Sequence, residues 1–286
     1  ERLKDNPLIE YIEVDHIISA ALQPSDPDYW NTSNGQWHVE GVAGEHISIT
    51  SAWEITTGTS GVIVAVLDTG IDFTGPEFAD RLVPGTNYVG SNTNSTDDHG
   101  HGTKVAGIIG ANANNGTNGV GINWQCKLMP IKVLNNGSPP TGNYGDFAAG
   151  LLWAVSNGAK VLNVSAGAAG GSDITLSNAI ESVVSNGAIF VAAAGNGGTE
   201  PVWFPGIHPR AITVGATDRF GTRWSSSSYG SNLCLVAPGV DINTVGMGGN
   251  WVVDSGTSFA TPQVAGVAAL ILSVRTNLNQ YQIKNL

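Results

Sequence analysis

Short runs of β-branched and other apolar residues, each long enough for one buried strand, recur from residue 61 onward and alternate with segments of helical length. The first run, 62–67, ends in Asp68-Thr69-Gly70 and reads as a strand followed by a turn. Further strands are expected at 128–133, 161–164, 189–194, 211–214 and 233–237, and helices at 103–110, 146–156, 175–185 and about 258–275. Strands apolar along their whole length need cover on both faces, and the intervening helices supply it. The expected fold is therefore α/β, a three-layer arrangement of a mostly parallel central sheet with helices on both faces. Ligands of such sheets bind at the carboxyl ends of the strands.

A chain of 286 residues can bury roughly 75% of its unfolded surface and needs no disulfide scaffold to make a core. Its two cysteines, Cys126 and Cys234, precede apolar segments, and the sequence leaves their pairing open. Charged residues make up only 12% of the chain and glycines number 38, which describes a compact surface with many tight turns and excludes disorder. The balance of 12 Lys+Arg against 23 Asp+Glu, a net charge of −11, repels phosphate backbones, so no nucleic acid and no anionic membrane is expected as a partner. The apolar stretches 62–67 and 188–194 fall short of the ~20 residues that cross a bilayer. The opening Glu1-Arg2-Leu3-Lys4-Asp5 has neither the basic start nor the apolar run of a signal peptide. Sparse charge, few cysteines and much Gly and Asn suit a secreted protein, and a monomer is expected.

Three segments place a reactive residue at an element boundary beside glycine. They are Val66-Leu67-Asp68-Thr69-Gly70, His99-Gly100-His101-Gly102-Thr103, and Ser255-Gly256-Thr257-Ser258-Phe259. An Asp ending a strand, a His opening a helix and a Ser opening another supply the orienter, general base and nucleophile of a triad in the chain order Asp, His, Ser. Singly, each has a plainer reading as a turn residue or a helix cap.

Together the three segments resemble the signatures of the subtilisin-like serine proteases, in order and across nearly all of residues 24–286. A fourth match is Phe190-Val191-Ala192-Ala193-Ala194-Gly195-Asn196, which in that family ends in the oxyanion asparagine. The resemblance implies a serine endopeptidase acting on polypeptides, with Ser258 as nucleophile, His101 as base and then acid, and Asp68 fixing the imidazole. Asn196 and the Ser258 N–H would form the oxyanion hole. It also makes Ser165, Ala166 and Gly167 a substrate-pairing edge and one pocket wall, faced by a wall around 138–142 that includes Gly142, with Tyr144 near the subsite for the fourth residue on the acyl side. Ala166, Ala168 and the inserted Pro139-Pro140 depart from the family pattern and leave the preference at the cleavage position open. Lys104 and Asp254 are further departures; Asp254 reads as a solvated loop charge.

The segment 112–119 interrupts the helix after His101, where this family often folds a calcium loop. Backbone carbonyls of Ala113, Thr117 and Gly119 with the side chains of Asn115 and Glu77 match the usual ligand positions, Glu77 standing in for an Asp. A structural calcium and no organic cofactor are expected. The bond Phe204-Pro205 is expected to be cis. Residues 1–22, with a strand-like stretch at 9–14, resemble the tail of the family's inhibitory pro-segment, cut between about Ser19 and Gln23, and 23–286 would be the peptidase domain. Only 28 residues follow the nucleophile, so a final strand or helix of the family is expected to be missing.

Other readings have their own residues. Asp68-Thr69-Gly70 and Asp254-Ser255-Gly256 could be the two halves of an aspartic protease, which would leave His101 and Asn196 without a role. A non-catalytic peptide-binding relative and a processing or transpeptidase enzyme would share the same fold. No G-x-G-x-x-G follows a strand and no G-x-S-x-G elbow occurs, which excludes a dinucleotide enzyme and an ordinary esterase.

Overall fold

The computed structural model describes residues 23–29, 35–40 and 46–286. The strand at 9–14, the pro-segment tail and most of its expected cut lie outside the described residues. In chain order the elements are α1 (Ile49–Trp53), β1 (Ile63–Asp68), β2 (Thr86–Asn87), α2 (His101–Gly110), β3 (Lys127–Lys132), α3 (Tyr144–Ser156), β4 (Val161–Val164) and α4 (Ile174–Ser185). They continue with β5 (Ile189–Ala193), β6 (Ile212–Thr217), β7 (Leu235–Pro238), β8 (Ile242–Val245), β9 (Trp251–Asp254), α5 (Thr257–Val274) and α6 (Gln280–Lys284).

Seven strands form one parallel sheet in the order β2-β3-β1-β4-β5-β6-β7. Alternation along β1 shows why both faces must be covered. Val64 and Val66 enter a core shared with Val105 and Ile109 of α2 and with Ala265, Ala268 and Ala269 of α5. Ala65 and Leu67 enter a second core with Leu151 of α3 and Ile180 of α4. The chain leaves β1 toward β3 on one side and returns to β4 on the other, so the order reverses at β1, and the carboxyl ends of β1 and β4 flank that switch point.

Helix α5 is, by length and composition, the one helix among the described residues that could span a bilayer, a feature the two apolar runs noted in the sequence did not include. It is mostly buried, with Ala260, Ala265 and Ala269 fully enclosed in the core. A third cluster fastens the early chain to the outside of α2 and α5. There the Trp53 and Trp124 rings lie 4.7 Å apart, and Trp53 Nε1 donates to the Ile122 carbonyl at 2.8 Å.

Helices α2 and α3 begin two residues earlier than the sequence suggests, at His101 and Tyr144. The antiparallel hairpin β8–β9 was not anticipated. Its strands are four residues each, and half-exposed Val253 blurs the alternation. The Phe204–Pro205 bond is cis as expected, and Ser138–Pro139 and Glu200–Pro201 are cis as well. Cys126 and Cys234 are both free.

Candidate active site

Asp68 ends β1 fully buried, and its Oδ1 lies 2.8 Å from His101 Nδ1. The same oxygen accepts the Thr69 N–H at 2.7 Å. His101 is the first residue of α2, so its ring projects from a helix N-terminus over the end of the sheet. The close approach requires glycine next to it: a Cβ on Gly102 would sit 2.1 Å from the Gly70 carbonyl oxygen. Burial alone would lower the imidazole pKa, but the charge of Asp68 and its hydrogen bond outweigh it and hold the pKa above the ordinary value. Lys104 opposes that rise and Asp254 adds to it.

Asp97 locks this junction. Its carboxylate accepts the N–H groups of His99, Gly100 and Thr103 and the hydroxyls of Thr69 and Thr103, all between 2.5 and 2.9 Å. Burial pushes its pKa up, yet these donors pull it below the usual carboxylate range. Thr69 Oγ1 in turn accepts the Gly102 N–H at 2.9 Å. The end of β1 and the first turn of α2 are thereby held as one unit. Sequence reasoning missed Asp97; an acidic residue four positions before a helix-opening His was the available signal.

Ser258 lies in the first turn of α5, and its hydroxyl donates to the Ser165 carbonyl at 3.0 Å, not to His101. Ser165 Oγ returns a bond to the Ser258 carbonyl at 2.9 Å. This reciprocal pair docks the end of β4 on α5. His101 and Ser258 line one cleft, and a catalytic hydrogen bond between them would need the Ser258 hydroxyl to leave the Ser165 carbonyl.

Asn196 follows β5, and its Oδ1 accepts both the backbone N–H of Thr257 at 3.0 Å and the Thr257 hydroxyl at 2.8 Å. A backbone N–H can only donate, so the amide orientation is fixed and Nδ2 is left free for the cleft beside Ser258. Thr257, which the sequence showed only as a motif letter, is thus what aims the amide.

The cleft continues past Ser165, Ala166 and Gly167 into a pocket of about 400 Å³ that includes Gly142, Tyr144, Phe147 and Leu134. Tyr144 packs edge-on against Phe204, ring centroids 5.3 Å apart. The inserted Pro139 and Pro140 line the cleft that holds Ser258. Asp254 is no solvated loop charge: it ends β9 and forms an ion pair with Lys104. Asp68 faces His101 and Asp254 faces Lys104, so the two Asp-x-Gly elements do not form a shared-proton dyad.

On the far side of α2, the loop after Gly110 gathers around Glu77, which is fully buried. Its carboxylate accepts Thr117 Oγ1 at 2.7 Å, Asn118 Nδ2 at 2.8 Å and Asn115 Nδ2 at 3.1 Å. Asp26, also fully buried, accepts the N–H groups of Asn114, Asn115 and Gly116. Burial and then the charge of Asp26 raise the Glu77 pKa against the pull of its donors. Glu77, Asn115 and Thr117 are therefore brought together, Ala113 and Gly119 belong to the same loop, and Asp26 is an addition that the sequence did not suggest.

A family model described as the subtilase family matches residues 59–286. The chain is 36% identical over 276 residues to a thermophilic serine proteinase of Bacillus sp. (strain AK1), covering 96% of this chain and 66% of that protein. It is 41% identical over 226 residues to subtilisin Savinase of Lederbergia lenta, covering 79% of this chain and 81% of that one. Among solved structures, a protease from Pseudoalteromonas arctica superposes with a TM-score of 0.82 at 30% identity, covering 92% of this chain and 90% of that one. A cold-adapted subtilisin-like serine proteinase superposes at 0.73 with 34% identity, covering 80% and 82%. A parallel sheet that reverses at the strand carrying Asp68, and likeness in both sequence and structure to serine proteinases, lead to one conclusion: this chain belongs to the subtilase family and is a subtilisin-like serine endopeptidase.

Proposed function

We propose that the chain cleaves internal peptide bonds of polypeptides by acyl transfer through Ser258. The observation that carries this is the 2.8 Å contact from Asp68 to His101 in the cleft that also holds Ser258 and Asn196. An extended substrate strand pairs with the Ser165–Ala166–Gly167 edge, and an apolar side chain four residues before the scissile bond fills the pocket of Tyr144, Phe147 and Leu134. Ser258 turns from the Ser165 carbonyl, passes its proton to His101 Nε2 and attacks the carbonyl carbon. Asp68 accepts from Nδ1–H, keeps Nε2 basic and stabilises the imidazolium that forms. The developing oxyanion accepts from Asn196 Nδ2 and the Ser258 N–H. His101 then donates its proton to the leaving amine, and a water repeats the sequence on the acyl-enzyme.

Replacing Asn196 by alanine tests the oxyanion role. In subtilisin, the loss of the corresponding donor costs about 10²–10³ in kcat, a magnitude taken from that relative. The expected result is a drop of that size with KM little changed, measured on a chromogenic peptide. An unchanged kcat would remove Asn196 from the mechanism.

The loop around Glu77 fits a hard cation: two fully buried carboxylates, Glu77 and Asp26, face each other's charge with only neutral donors around them. Glu77, Asp26, the amide of Asn115 and backbone carbonyls of Ala113, Thr117 and Gly119 would hold calcium, which would neutralise that charge and brace the end of α2. Calcium present at about 100 times its Kd would add about 2.7 kcal/mol, so excess chelator is expected to lower Tm by roughly 5–10 °C. Glu77→Gln abolishes that response. An identical Tm with and without chelator contradicts the site.

Residues 1–22 are read as the tail of a pro-segment that inhibits the enzyme until it is cut away. The low charge and the likeness to subtilisins support a secreted enzyme.

A further inference from the structure

Two residues 150 positions apart meet beside the catalytic histidine. Lys104 follows His101 by one helical turn on α2, and its ammonium pairs with the Asp254 carboxylate at the end of β9, four residues before Ser258. The Phe259 ring ties the group together: its centroid lies 5.7 Å from the His101 ring and 5.6 Å from Lys104 Nζ. Asp254 lines the Ser258 cleft together with His101, Ser255 and Phe259.

We propose that Lys104 and Asp254 are positioning residues for the reaction, a pair of opposite charges that cancel each other beside His101 so that the imidazole responds to Asp68 alone. This rests on His101 being the general base. Imidazolium forms in every turnover, and an unpaired ammonium one helical turn away would oppose it, whereas an unpaired carboxylate would trap it. Each partner removes the other's effect.

The charged and titratable groups around the imidazole come from each neighbouring element. They are Asp68 from β1, Lys104 from α2, His99 from the turn before it, whose Nδ1 accepts the His101 N–H at 3.3 Å, and Asp254 from β9. Asp97 sits behind the turn, fully engaged with its donors. The first turn of α5 contributes Ser258 and the Phe259 ring. Of these groups, Lys104 and Asp254 act on the imidazole in opposite directions. Both side chains are partly exposed, Lys104 at 22% and Asp254 at 36%, so the field each exerts alone is screened to a fraction of its buried value.

The test is the pH profile of kcat/KM at low ionic strength for four variants of the full chain. Lys104→Met leaves Asp254 unpaired and moves the acid limb up by about half a pH unit. Asp254→Asn leaves Lys104 unpaired and moves it down by about the same amount. The double variant returns to the wild-type position, and Lys104→Arg, which keeps the charge, stays there. About 1 M salt collapses both single shifts. If Lys104→Met does not fold, the downward shift of Asp254→Asn carries the test. Acid limbs that stay put, or that move in the same direction in both single variants, overturn the proposal. In that case serine-directed phosphonate still labels Ser258 and the triad stands. A wild type that is not labelled at Ser258 overturns the triad and the proposal with it.

Discussion

Ser258→Ala is expected to lower kcat by about 10⁶ while leaving Tm within about 4 °C of wild type. The magnitude is that measured for the nucleophile of subtilisin, carried over because the residues act as a unit. The stability side follows from the geometry. The Ser258 hydroxyl makes one hydrogen bond, to the Ser165 carbonyl, and that junction keeps its other bond, from Ser165 Oγ to the Ser258 carbonyl. Losing one such bond costs about 1 kcal/mol, which for a domain of this size is a few degrees at most. His101→Ala should be equally inactive, since without the base the hydroxyl stays protonated. Activity assays on refolded, purified variants alongside thermal melts check both statements. A Ser258→Ala protein with near-normal turnover would remove the nucleophile from the account.

The second large effect is on stability and comes from outside the active site. His38 is fully buried, and neither ring nitrogen has a hydrogen-bond partner among the described residues. Burial pushes its pKa down from 6.5 to about 3. Between those values the unfolded chain binds a proton that the folded chain refuses. Stability from this residue is therefore full above about pH 6.5 and is lost as the pH falls toward 3, at about 1.4 kcal/mol per pH unit. Going from pH 6.5 to 4.5 should cost about 2.3 kcal/mol, or roughly 5–9 °C in Tm. His38→Leu cannot take up that proton, so its acid-induced loss of Tm is expected to be smaller than wild type by that amount. Equal losses in the two proteins would show that His38 takes up its proton as readily in the folded protein as in the unfolded chain, which contradicts a lowered pKa. The location gives the effect a structural consequence: the His38 carbonyl accepts the Ile47 N–H at 3.0 Å in the segment that packs on the outside of α2 and α5.

Much of this molecule can be read from local pattern. The run before Asp68 is buried on both faces, and its Val and Ala-Leu positions divide between the two cores as period-2 alternation requires. Asp68, His101, Asn196 and Ser258 stood out because each closes or opens an element next to a glycine, and the fold puts the ends of those elements in one place. What stayed hidden is what one residue does for another across the chain. Thr257 is an ordinary helix-opening threonine until Asn196 is seen 61 positions away accepting from it. Lys104 and Asp254 looked like two unrelated oddities, and Asp254 like a solvated charge, because nothing in the local sequence indicates that β9 brings one to the other. Asp26 and Glu77 likewise meet only through the loop after α2. The hairpin β8–β9 was missed for a different reason: four-residue strands around a glycine-rich turn are too short for periodicity to separate from a loop.

The central claim is that Ser258, activated by His101 and Asp68, is the nucleophile of an acyl-transfer reaction. Mass mapping of the adduct left by a serine-directed phosphonate tests it most directly. The wild type should carry a single adduct on the peptide containing Ser258, formed as activity disappears, and Ser258→Ala should carry none. An adduct on another serine, or full inhibition of the wild type with Ser258 unmodified, would contradict the account.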